Sequence, residues 1–341
     1  MRPGIGIVGA GMVGQMCHLA NFAANPACRV VAIADLRADL AAAAARKFGI
    51  DRVYPTHRDL LADADVGAVV VVTRRRATGP VVLDALASGR HVLSEKPMAY
   101  TVAQAATLAA AAQQRDLVYA VGYMKRHDAG VARLRDELHR RRADGSLGRI
   151  LRADGWCHGG DTGGSPDRFV MTAEPRPDGL DLWPDGPDGM RADLRPGYDH
   201  FLNVFSHLIN LSRHLLGAFP RCLDGRVDSA GSAQVTLDFD GVPCRLDLAT
   251  RPGGDWREGL TIVFERGQLA LELPPPFSEQ EADVTITQDG RTMRLPRGTS
   301  WAFRRQADAF VADIIARTPP LASGTDSVTD IVLAEEIWRT A

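Results

Sequence analysis

A glycine-rich turn directly after a short apolar run constrains the fold of this chain more than any other feature. Residues 5–8 are apolar, Gly9, Gly11 and Gly14 follow at G-x-G-x-x-G spacing, and a helical pattern continues to about residue 24. Between a strand and a helix, the first glycine of this motif permits a tight turn and the third lets the helix pack closely on the strand. The sequence therefore predicts the first strand–helix unit of an α/β sheet.

Apolar runs rich in β-branched residues alternate with alanine-rich helical patterns up to about residue 122. The run at 66–73 is almost wholly apolar, which is typical of a central strand covered on both faces of a parallel sheet. Strands separated by helices form right-handed crossover units, so we expect a doubly wound parallel sheet domain over residues 1–124. The further predicted strands are 30–34, 91–93 and 117–121, and the further predicted helices are 38–48, 80–88 and 102–115.

The pattern changes in the second half of the chain. A basic amphipathic helix is predicted over 130–142, and alternating runs over 221–295 are separated by Asp-Gly pairs at 240–241 and 289–290. Such pairs form the turns of antiparallel hairpins. We therefore expect residues 125–341 to form an α+β domain with an antiparallel sheet. Its closing helices are predicted over 301–317 and 327–339, and the second of them could pack back on the first domain.

Residues 159–197 are rich in Gly, Pro and Asp and show little periodicity. Long irregular segments in compact enzymes are usually functional, often lids or binding loops. The alternative is a disordered surface insertion. Phe169, Met171 and Trp183 favour packing over disorder.

Composition excludes several classes of protein. The formal net charge of −2 gives no electrostatic reason to expect nucleic acid or an anionic membrane as a partner. The five cysteines contain no C-x-x-C pair, which is typical of reduced thiols in a cytoplasmic protein, and no stretch of about 18 apolar residues occurs. We expect no metal site, because no His, Cys and Asp cluster has metal-ligand spacing.

The glycine motif also predicts a dinucleotide site. Gly11 lets the backbone approach a pyrophosphate, and Asp35, at the end of the second strand, can accept hydrogen bonds from the adenosine ribose and repel a 2′-phosphate. We therefore expect NAD rather than NADP. Arg37 and the basic run 74–76 leave two alternatives open, a phosphate contact or a solvated basic loop. The predicted cofactor-binding residues are Gly9, Gly11, Met12, Val13, Gly14, Asp35, Arg37, Thr73, Arg74, Glu95 and Lys96.

A candidate reacting centre follows the predicted strand 91–93. Ligands bind at the carboxyl edge of open α/β sheets, where Glu95, Lys96 and Pro97 should lie. A lysine there could hydrogen-bond a carbinol or carbonyl oxygen and stabilise the charge that develops during hydride transfer, with Glu95 paired to it. The alternative is a plain surface turn.

A second group of polar residues recurs every three or four positions on one helix predicted over 200–216. No Lys, Arg, Glu or Asp occurs from His200 to Ser212, which favours the wall of a cleft over a solvated stripe. His207 is the favoured general base, and His214 is interpreted as a surface or core residue. Residues 122–127 either contact substrate or merely connect a strand to a helix. The polar positions on the helix are His200, Asn203, His207, Asn210 and His214.

The glycine motif, the segment 85–97 and the helix pattern ending at His207 resemble, in this order, the Gfo/Idh/MocA family of glucose–fructose oxidoreductases and inositol dehydrogenases. The resemblance implies a Rossmann domain and a substrate domain whose large open sheet mediates homodimers or homotetramers. It also implies that Lys96 and His207 are catalytic, with the histidine drawing the hydroxyl proton. The residues expected to bind substrate are Lys96, Tyr123, Lys125, Arg126, His200, Asn203 and His207, with Asn203 also in the catalytic set.

Three departures from the family pattern argue against an ordinary inositol or glucose substrate. Asn203 stands where relatives carry an aspartate, Arg74 follows Thr73 where proline is common, and Thr78 replaces a histidine. We expect an NAD-dependent oxidoreductase for a secondary ring hydroxyl of a sugar, amino sugar or cyclitol, in aminoglycoside-type secondary metabolism. The alternatives are a redox–elimination glycosidase and a non-catalytic NAD-binding protein.

Overall fold

The computed structural model describes residues 2–175, 177–178, 180–217 and 219–339 and divides the chain into two compact units. The first unit comprises Met1–Gly122, Ser165–Asp185 and Phe303–Val328, and the second comprises Tyr123–Gly164, Gly186–Ala302 and Thr329–Ala341. The prediction of a single boundary after residue 124 therefore misses two later segments that return to the first unit.

The first unit is built on a six-stranded parallel sheet in the order β3-β2-β1-β4-β5-β6. The order reverses between β1 and β4, and ligands of doubly wound sheets bind at the carboxyl ends of the strands near such a reversal. This confirms the predicted α/β class, with β4 central and wholly buried. The strands are β1 Gly4–Val8, β2 Arg29–Ala34, β3 Arg52–Tyr54, β4 Ala68–Val71, β5 His91–Ser94 and β6 Tyr119–Val121.

Helices separate these strands. The first helix contains a π-helical segment, Gly14–Leu19, and continues as α1, Ala20–Ala23. The others are α2 Ala38–Phe48, α3 His57–Leu61, α4 Arg75–Ala87 and α5 Val102–Gln113, and α9, Ala302–Ala316, begins one residue before the chain re-enters this unit.

Burial explains why α9 returns to the first unit. Phe310 of α9 packs edge-on against Phe22, with ring centroids 6.2 Å apart, and both side chains are almost fully buried. They belong to one core with Ile5, Ile7 and Leu93 of the parallel sheet. Aromatic side chains of this size contribute a large share of the apolar area that a domain buries, so α9 is part of the hydrophobic core of the first unit.

Helix α4 begins at Arg75, five residues earlier than predicted, although Pro80 lies inside it. Proline cannot donate to the carbonyl four residues before it, which is that of Arg76. The backbone N–H of Trp183 donates to this carbonyl at 2.9 Å, and the Arg76 Nε donates to the Trp183 carbonyl at 2.8 Å. The segment at 165–185 therefore supplies the hydrogen bond that the proline removes.

The second unit contains an eight-stranded sheet in the order β14-β13-β12-β11-β7-β10-β9-β8. All neighbouring strands are antiparallel except β7 and β10, which confirms the predicted, mainly antiparallel sheet. The strands are β7 Ile150–Asp161, β8 Arg221–Val227, β9 Ala233–Phe239, β10 Val242–Asp255, β11 Arg257–Phe264, β12 Gly267–Leu273, β13 Asp283–Gln288 and β14 Arg291–Arg294.

The two predicted Asp-Gly turns are confirmed. Asp240 and Gly241 have φ of 53° and 87° between β9 and β10, and Asp289 and Gly290 have φ of 49° and 74° between β13 and β14. Two consecutive positive φ angles give the backbone twist that a two-residue hairpin requires.

Four further helices complete the described chain: α6 Ala129–Asp144, α7 Arg195–Val204, α8 Ser206–Leu216 and α10 Gly324–Trp338, with 3-10 turns at Met124–His127 and Pro166–Arg168. The prediction of a single helix over 200–216 is therefore wrong, because the helix is interrupted at Phe205. The Ser206 hydroxyl donates to the Leu202 carbonyl at 2.6 Å, and such back-bonding bends helices.

Candidate active site

The glycine turn has the geometry of a phosphate-binding loop. Gly9 has φ of 105°, and a Cβ atom there would lie 2.1 Å from the Val72 carbonyl oxygen. At Gly14 a Cβ atom would lie 2.1 Å from the Gly9 oxygen, so both glycines are required by internal packing. A Cβ atom at Gly11 would meet nothing within 4 Å. Packing does not explain Gly11, whereas close approach of a pyrophosphate does, and the loop fits a dinucleotide.

Asp35 joins this loop to the start of α2. Its Oδ2 accepts the Ala10 N–H at 2.8 Å and the Arg37 Nη2 at 3.1 Å, while Oδ1 accepts the Arg37 N–H at 2.9 Å and its Nε at 3.0 Å. These four bonds use all the acceptor positions of a carboxylate. A ribose hydroxyl could therefore bind Asp35 only if the Arg37 guanidinium gives up a position.

Glu95 leaves β5 at the same carboxyl edge of the sheet. Its Oε1 lies 2.8 Å from His18 Nε2, and its Oε2 accepts the backbone N–H of Lys96 at 3.2 Å. Glu95 thus pairs with His18, and the charge of Lys96 also acts on the Glu95 carboxylate. Burial raises the pKa of Glu95, but the hydrogen bond and charge of His18, together with the charge and backbone N–H of Lys96, leave that pKa below its usual value.

His18, which contacts Glu95 at the candidate site, was not singled out from the sequence. It is 2% exposed, and its ring lies edge-on to Phe303 and stacks against Phe22. The available signal was its position four residues after Gly14, since residues at this spacing share one helix face. That face is fixed against the sheet by Gly14, so a polar residue on it must find a partner at the strand ends.

Lys96 is half-buried, directly after β5, and its peptide bond to Pro97 is cis. Gly122 packs closely against the two residues that precede Lys96, Ser94 and Glu95. Gly122 donates its N–H to the Ser94 carbonyl at 2.8 Å, and a Cβ atom at Gly122 would lie 3.2 Å from Glu95. Lys96 therefore follows a tightly packed strand end rather than a loose surface turn.

Thr73 and Arg74 lie at the end of the short connection between β4 and α4. The hydroxyls of Thr73 and Thr78 lie 3.2 Å apart, and Arg74 precedes the first residue of α4. Arg76, the third member of the basic run, also lies 3.5 Å from Asp185. Its charge is thus balanced within the first unit.

In the second unit, His207 lies on α8 and is 7% exposed. Its ring is edge-on to that of Tyr123 at 5.8 Å, and burial raises the pKa of Tyr123 well above its ordinary value. Asn203 is half-buried near the end of α7. His200 Nε2 lies 2.6 Å from the Thr250 hydroxyl of β10. The structure therefore brings Tyr123 and His207 into contact and engages His200 with the sheet.

Lys125 and Arg126 were expected to contact substrate, and the structure places both in buried polar networks instead. Lys125 is 4% exposed and forms an ion pair with Glu258, whose Oε2 also accepts the Trp256 indole N–H at 3.0 Å. The Arg126 Nε donates to Asn210 Oδ1 at 2.6 Å. Burying a charge is costly unless it is paired, so these contacts account for the side chains without a ligand.

The network around Arg126 extends to the C-terminal helix. Asn210 donates to Asp330 Oδ2 at 2.7 Å, and Arg213 lies 2.6 Å from Asp330 Oδ1 with both side chains 0% exposed. Asn210 therefore belongs to the core rather than to a polar face of a cleft. His214 is half-buried, and its burial together with the charge of Arg126 lowers its pKa to about 3.

Within residues 2–175, 177–178, 180–217 and 219–339, no group of three or more His, Cys, Asp or Glu side chains is arranged to hold a metal ion. None of the helices in these ranges has the length and apolar character needed to cross a membrane. All five cysteines are free thiols.

Comparison with known proteins agrees with this geometry. Residues 4–123 match the profile of the oxidoreductase family with an NAD-binding Rossmann fold, Gfo/Idh/MocA. Inositol 2-dehydrogenase of Gluconacetobacter diazotrophicus is 37% identical over 155 residues, which are 44% of this chain and 44% of that protein. The chain thus aligns with less than half the length of this relative.

Two further comparisons extend over nearly the whole chain. Myo-inositol 2-dehydrogenase of Thermotoga maritima is 21% identical over 350 residues, 96% of this chain and 93% of that protein. The structure of KijD10, a 3-ketoreductase from Actinomadura kijaniata in complex with TDP-benzene and NADP, superposes with a TM-score of 0.78 at 20% identity, covering 99% of this chain and 97% of that one. At this identity the superposition establishes the fold alone.

The glycine loop, Asp35 and the Glu95-Lys96-Pro97 turn lie in the part of the chain that matches the profile. Their geometry fits a nicotinamide dinucleotide, NAD or NADP. Residues 4–123 of this chain therefore match the Gfo/Idh/MocA family of oxidoreductases with an NAD-binding Rossmann fold.

Proposed function

We propose that this protein is an NAD-dependent dehydrogenase that oxidises a secondary ring hydroxyl of a sugar, amino sugar or cyclitol to a ketone, or catalyses the reverse reduction. One observation carries the proposal. The open approach at Gly11, the Asp35 carboxylate and Lys96 all follow strands of one parallel sheet at its carboxyl edge. A dinucleotide bound along that edge would extend from Asp35 past the glycine loop.

The proposal assigns Lys96 the hydrogen bond to the reacting oxygen. A cationic donor at that oxygen stabilises the negative charge that develops as the carbinol and carbonyl forms interconvert. When bound, the nicotinamide would accept or supply the hydride. The Glu95–His18 pair and the packing at Gly122 hold the backbone of Lys96, so its side chain starts from a fixed position.

His207 is proposed to take the hydroxyl proton during oxidation and to return it during reduction, with Asn203 orienting a substrate hydroxyl. Support comes from the burial of His207 beside Tyr123 and from the family resemblance. An imidazole is suited to this role because its charge changes between about pH 5 and 8. Among the residues expected to bind substrate, Lys96, Tyr123, His200, Asn203 and His207 stay in the proposal.

The substrate class rests on the relatives, which include two inositol dehydrogenases and a 3-ketoreductase. Asn203, Arg74 and Thr78 depart from the common family pattern, and we therefore infer an amino sugar or a sugar of secondary metabolism. We also propose a cytoplasmic homodimer or homotetramer. Light scattering of the purified protein tests the oligomeric state.

The deciding experiment is a substrate screen. Purified protein is incubated with NAD or NADP and with free sugars, sugar phosphates, nucleotide sugars, inositols and aminoglycosides, while reduced cofactor is followed at 340 nm. Formation of NADH with one of these classes supports the proposal. Cleavage of a glycoside without net NADH would point to a redox–elimination reaction, and tight NAD binding without turnover would point to a non-catalytic protein.

A further inference from the structure

The segment Ser165–Asp185 belongs to the first unit and is attached directly to its glycine loop. Gln15 and Val170 exchange two hydrogen bonds, of 2.8 Å and 3.0 Å, and the Gln15 amide also donates to the Ala10 carbonyl at 2.7 Å. At its other end, the indole of Trp183 packs on Gly79, where a Cβ atom would lie 2.1 Å from the ring. Met171, by contrast, is 73% exposed, against the expectation that it would pack.

Glu174 lies between these two anchors and binds the start of α2. Its Oε1 accepts the Asp39 N–H at 3.0 Å, and its Oε2 accepts the Leu40 N–H at 2.9 Å and the Thr172 hydroxyl at 3.1 Å. The N-cap residue of α2, Arg37, provides no side-chain cap of its own. A carboxylate from more than 130 residues later in the sequence therefore accepts from two of the N–H groups that the start of this helix leaves free.

Glu174 is ionised at neutral pH. Partial burial raises its pKa, but the hydrogen bonds from the Asp39 and Leu40 N–H groups lower it, and the nearby charge of Arg37 adds to this, so the pKa lies below its usual value. Arg37 is already bonded through two nitrogens to Asp35. Two carboxylates, Asp35 and Glu174, therefore act on one guanidinium.

This is the region where a doubly wound sheet distinguishes the two nicotinamide cofactors. The acidic residue after the second strand bonds the adenosine ribose of NAD, whereas an arginine nearby accommodates the 2′-phosphate of NADP. A phosphate monoester carries a charge of roughly −1.5 to −2 at neutral pH and needs donors. Here the Asp39 and Leu40 N–H groups are taken by Glu174, and the positive charge of Arg37 is offset by the Asp35 and Glu174 carboxylates.

We propose that Glu174 is a specificity-determining residue of the cofactor site. Its carboxylate excludes the 2′-phosphate of NADP by charge repulsion and by binding the α2 N–H groups that the phosphate would need. The inference rests on the proposed function, because it requires a dinucleotide whose ribose lies at Asp35. It adds to Asp35 a second acidic group, contributed by a segment that has no periodic pattern in the sequence.

The test measures dissociation constants of NAD and NADP by calorimetry, with no substrate present. In Glu174→Gln, which keeps an acceptor and removes the charge, the affinity for NADP should rise about fivefold to tenfold, a change of roughly 1 to 1.4 kcal/mol. The affinity for NAD should change less than about twofold. Because the effect is electrostatic, the gain should shrink as salt is raised from about 0.05 to 0.5 M.

Asp178→Asn is the matched control, since Asp178 is an exposed carboxylate of the same segment. It makes the same change of charge and should alter the NADP to NAD ratio less than about twofold. Glu174→Asp, which retains the charge, should keep NADP binding close to that of the original protein.

Two results would overturn the inference. If Glu174→Gln lowers the melting temperature but leaves the ratio of the two dissociation constants unchanged, Glu174 is only a helix cap. If the original protein binds NADP more tightly than NAD, Glu174 does not exclude the phosphate. The first result leaves the proposed dehydrogenase standing, and the second changes only its proposed cofactor from NAD to NADP. Failure of the original protein to bind either nucleotide overturns both proposals.

Discussion

The Nε2 atom of His18 lies 2.8 Å from the Oε1 atom of Glu95, and their side chains are 2% and 14% exposed. The contact joins the π-helical segment after the glycine loop to the end of β5, and π-helical turns recur at functional sites. Since the other oxygen of Glu95 accepts the Lys96 N–H, the position of the proposed catalytic lysine depends on a histidine 78 residues earlier in the sequence.

Replacing His18 with phenylalanine should destabilise the protein and disturb Lys96. The Glu95 carboxylate would be left largely buried without its partner, which costs about 3–5 kcal/mol for a buried pair. Chemical denaturation measures this loss. His18→Gln, which can still donate to Glu95, should recover much of it, and equal stability of the phenylalanine and glutamine variants would contradict a role for the pair.

Lys96→Ala should reduce turnover by about 100-fold to 10,000-fold, the usual contribution of a positioned proton donor. The dissociation constant for NAD should stay within about threefold, since the glycine loop and Asp35 carry the dinucleotide. Steady-state kinetics and calorimetry measure the two quantities once a substrate is known. Unchanged turnover in this variant would remove Lys96 from the mechanism.

Asp330→Ala should be among the most destabilising substitutions in the second unit. Arg213 and Asp330 are both 0% exposed, and removing one partner of such a pair costs about 3–5 kcal/mol because a buried charge is left behind. Asp193→Ala is the control, as the Arg191–Asp193 pair is 71% and 58% exposed and such pairs contribute about 1 kcal/mol or less. A similar loss of stability in both variants would argue against this account.

Glu281 should make the protein sensitive to acid. Burial raises the pKa of its carboxyl, but donors from Ser300, Gly298 and Arg133 outweigh this and hold the pKa at about 2. In the unfolded chain a glutamate has a pKa of about 4.3, so the stabilising contribution is complete above that value and is lost as the pH falls toward 2. Glu281→Gln should therefore flatten the decline of unfolding free energy between about pH 4.3 and 2. A decline as steep as that of the original protein would show that other carboxylates control it.

Some features of the structure could be predicted because their causes are local. The apolar residues of β4 require burial on both faces, and Asp240-Gly241 and Asp289-Gly290 allow the positive φ angles of tight hairpins. The break at Phe205 escaped prediction because it depends on one hydroxyl bonding a carbonyl within a helix whose apolar pattern continues across it.

Other features could not be read from local patterns. Lys125 and Arg126 resembled ligand-binding residues by type. In the structure they bond instead to Glu258 and Asn210, which lie more than 80 residues later in the sequence. The polar residues at 200–214 share a face only if the helix is continuous, and Asn210 donates to the buried Asp330 instead. Burial of a polar side chain depends on its partner, and residue type alone does not reveal that partner.

The doubly wound sheet, the hairpins and the dinucleotide loop could be predicted from local patterns, because strand and helix periodicities and glycine requirements act over a few neighbouring residues. Long-range packing establishes that His18 pairs with Glu95, that Glu174 binds the start of α2, and that residues 165–185 return to the first unit. These contacts join residues 77 to 135 positions apart, and hydrogen bonds and ion pairs between them form only after the chain has folded.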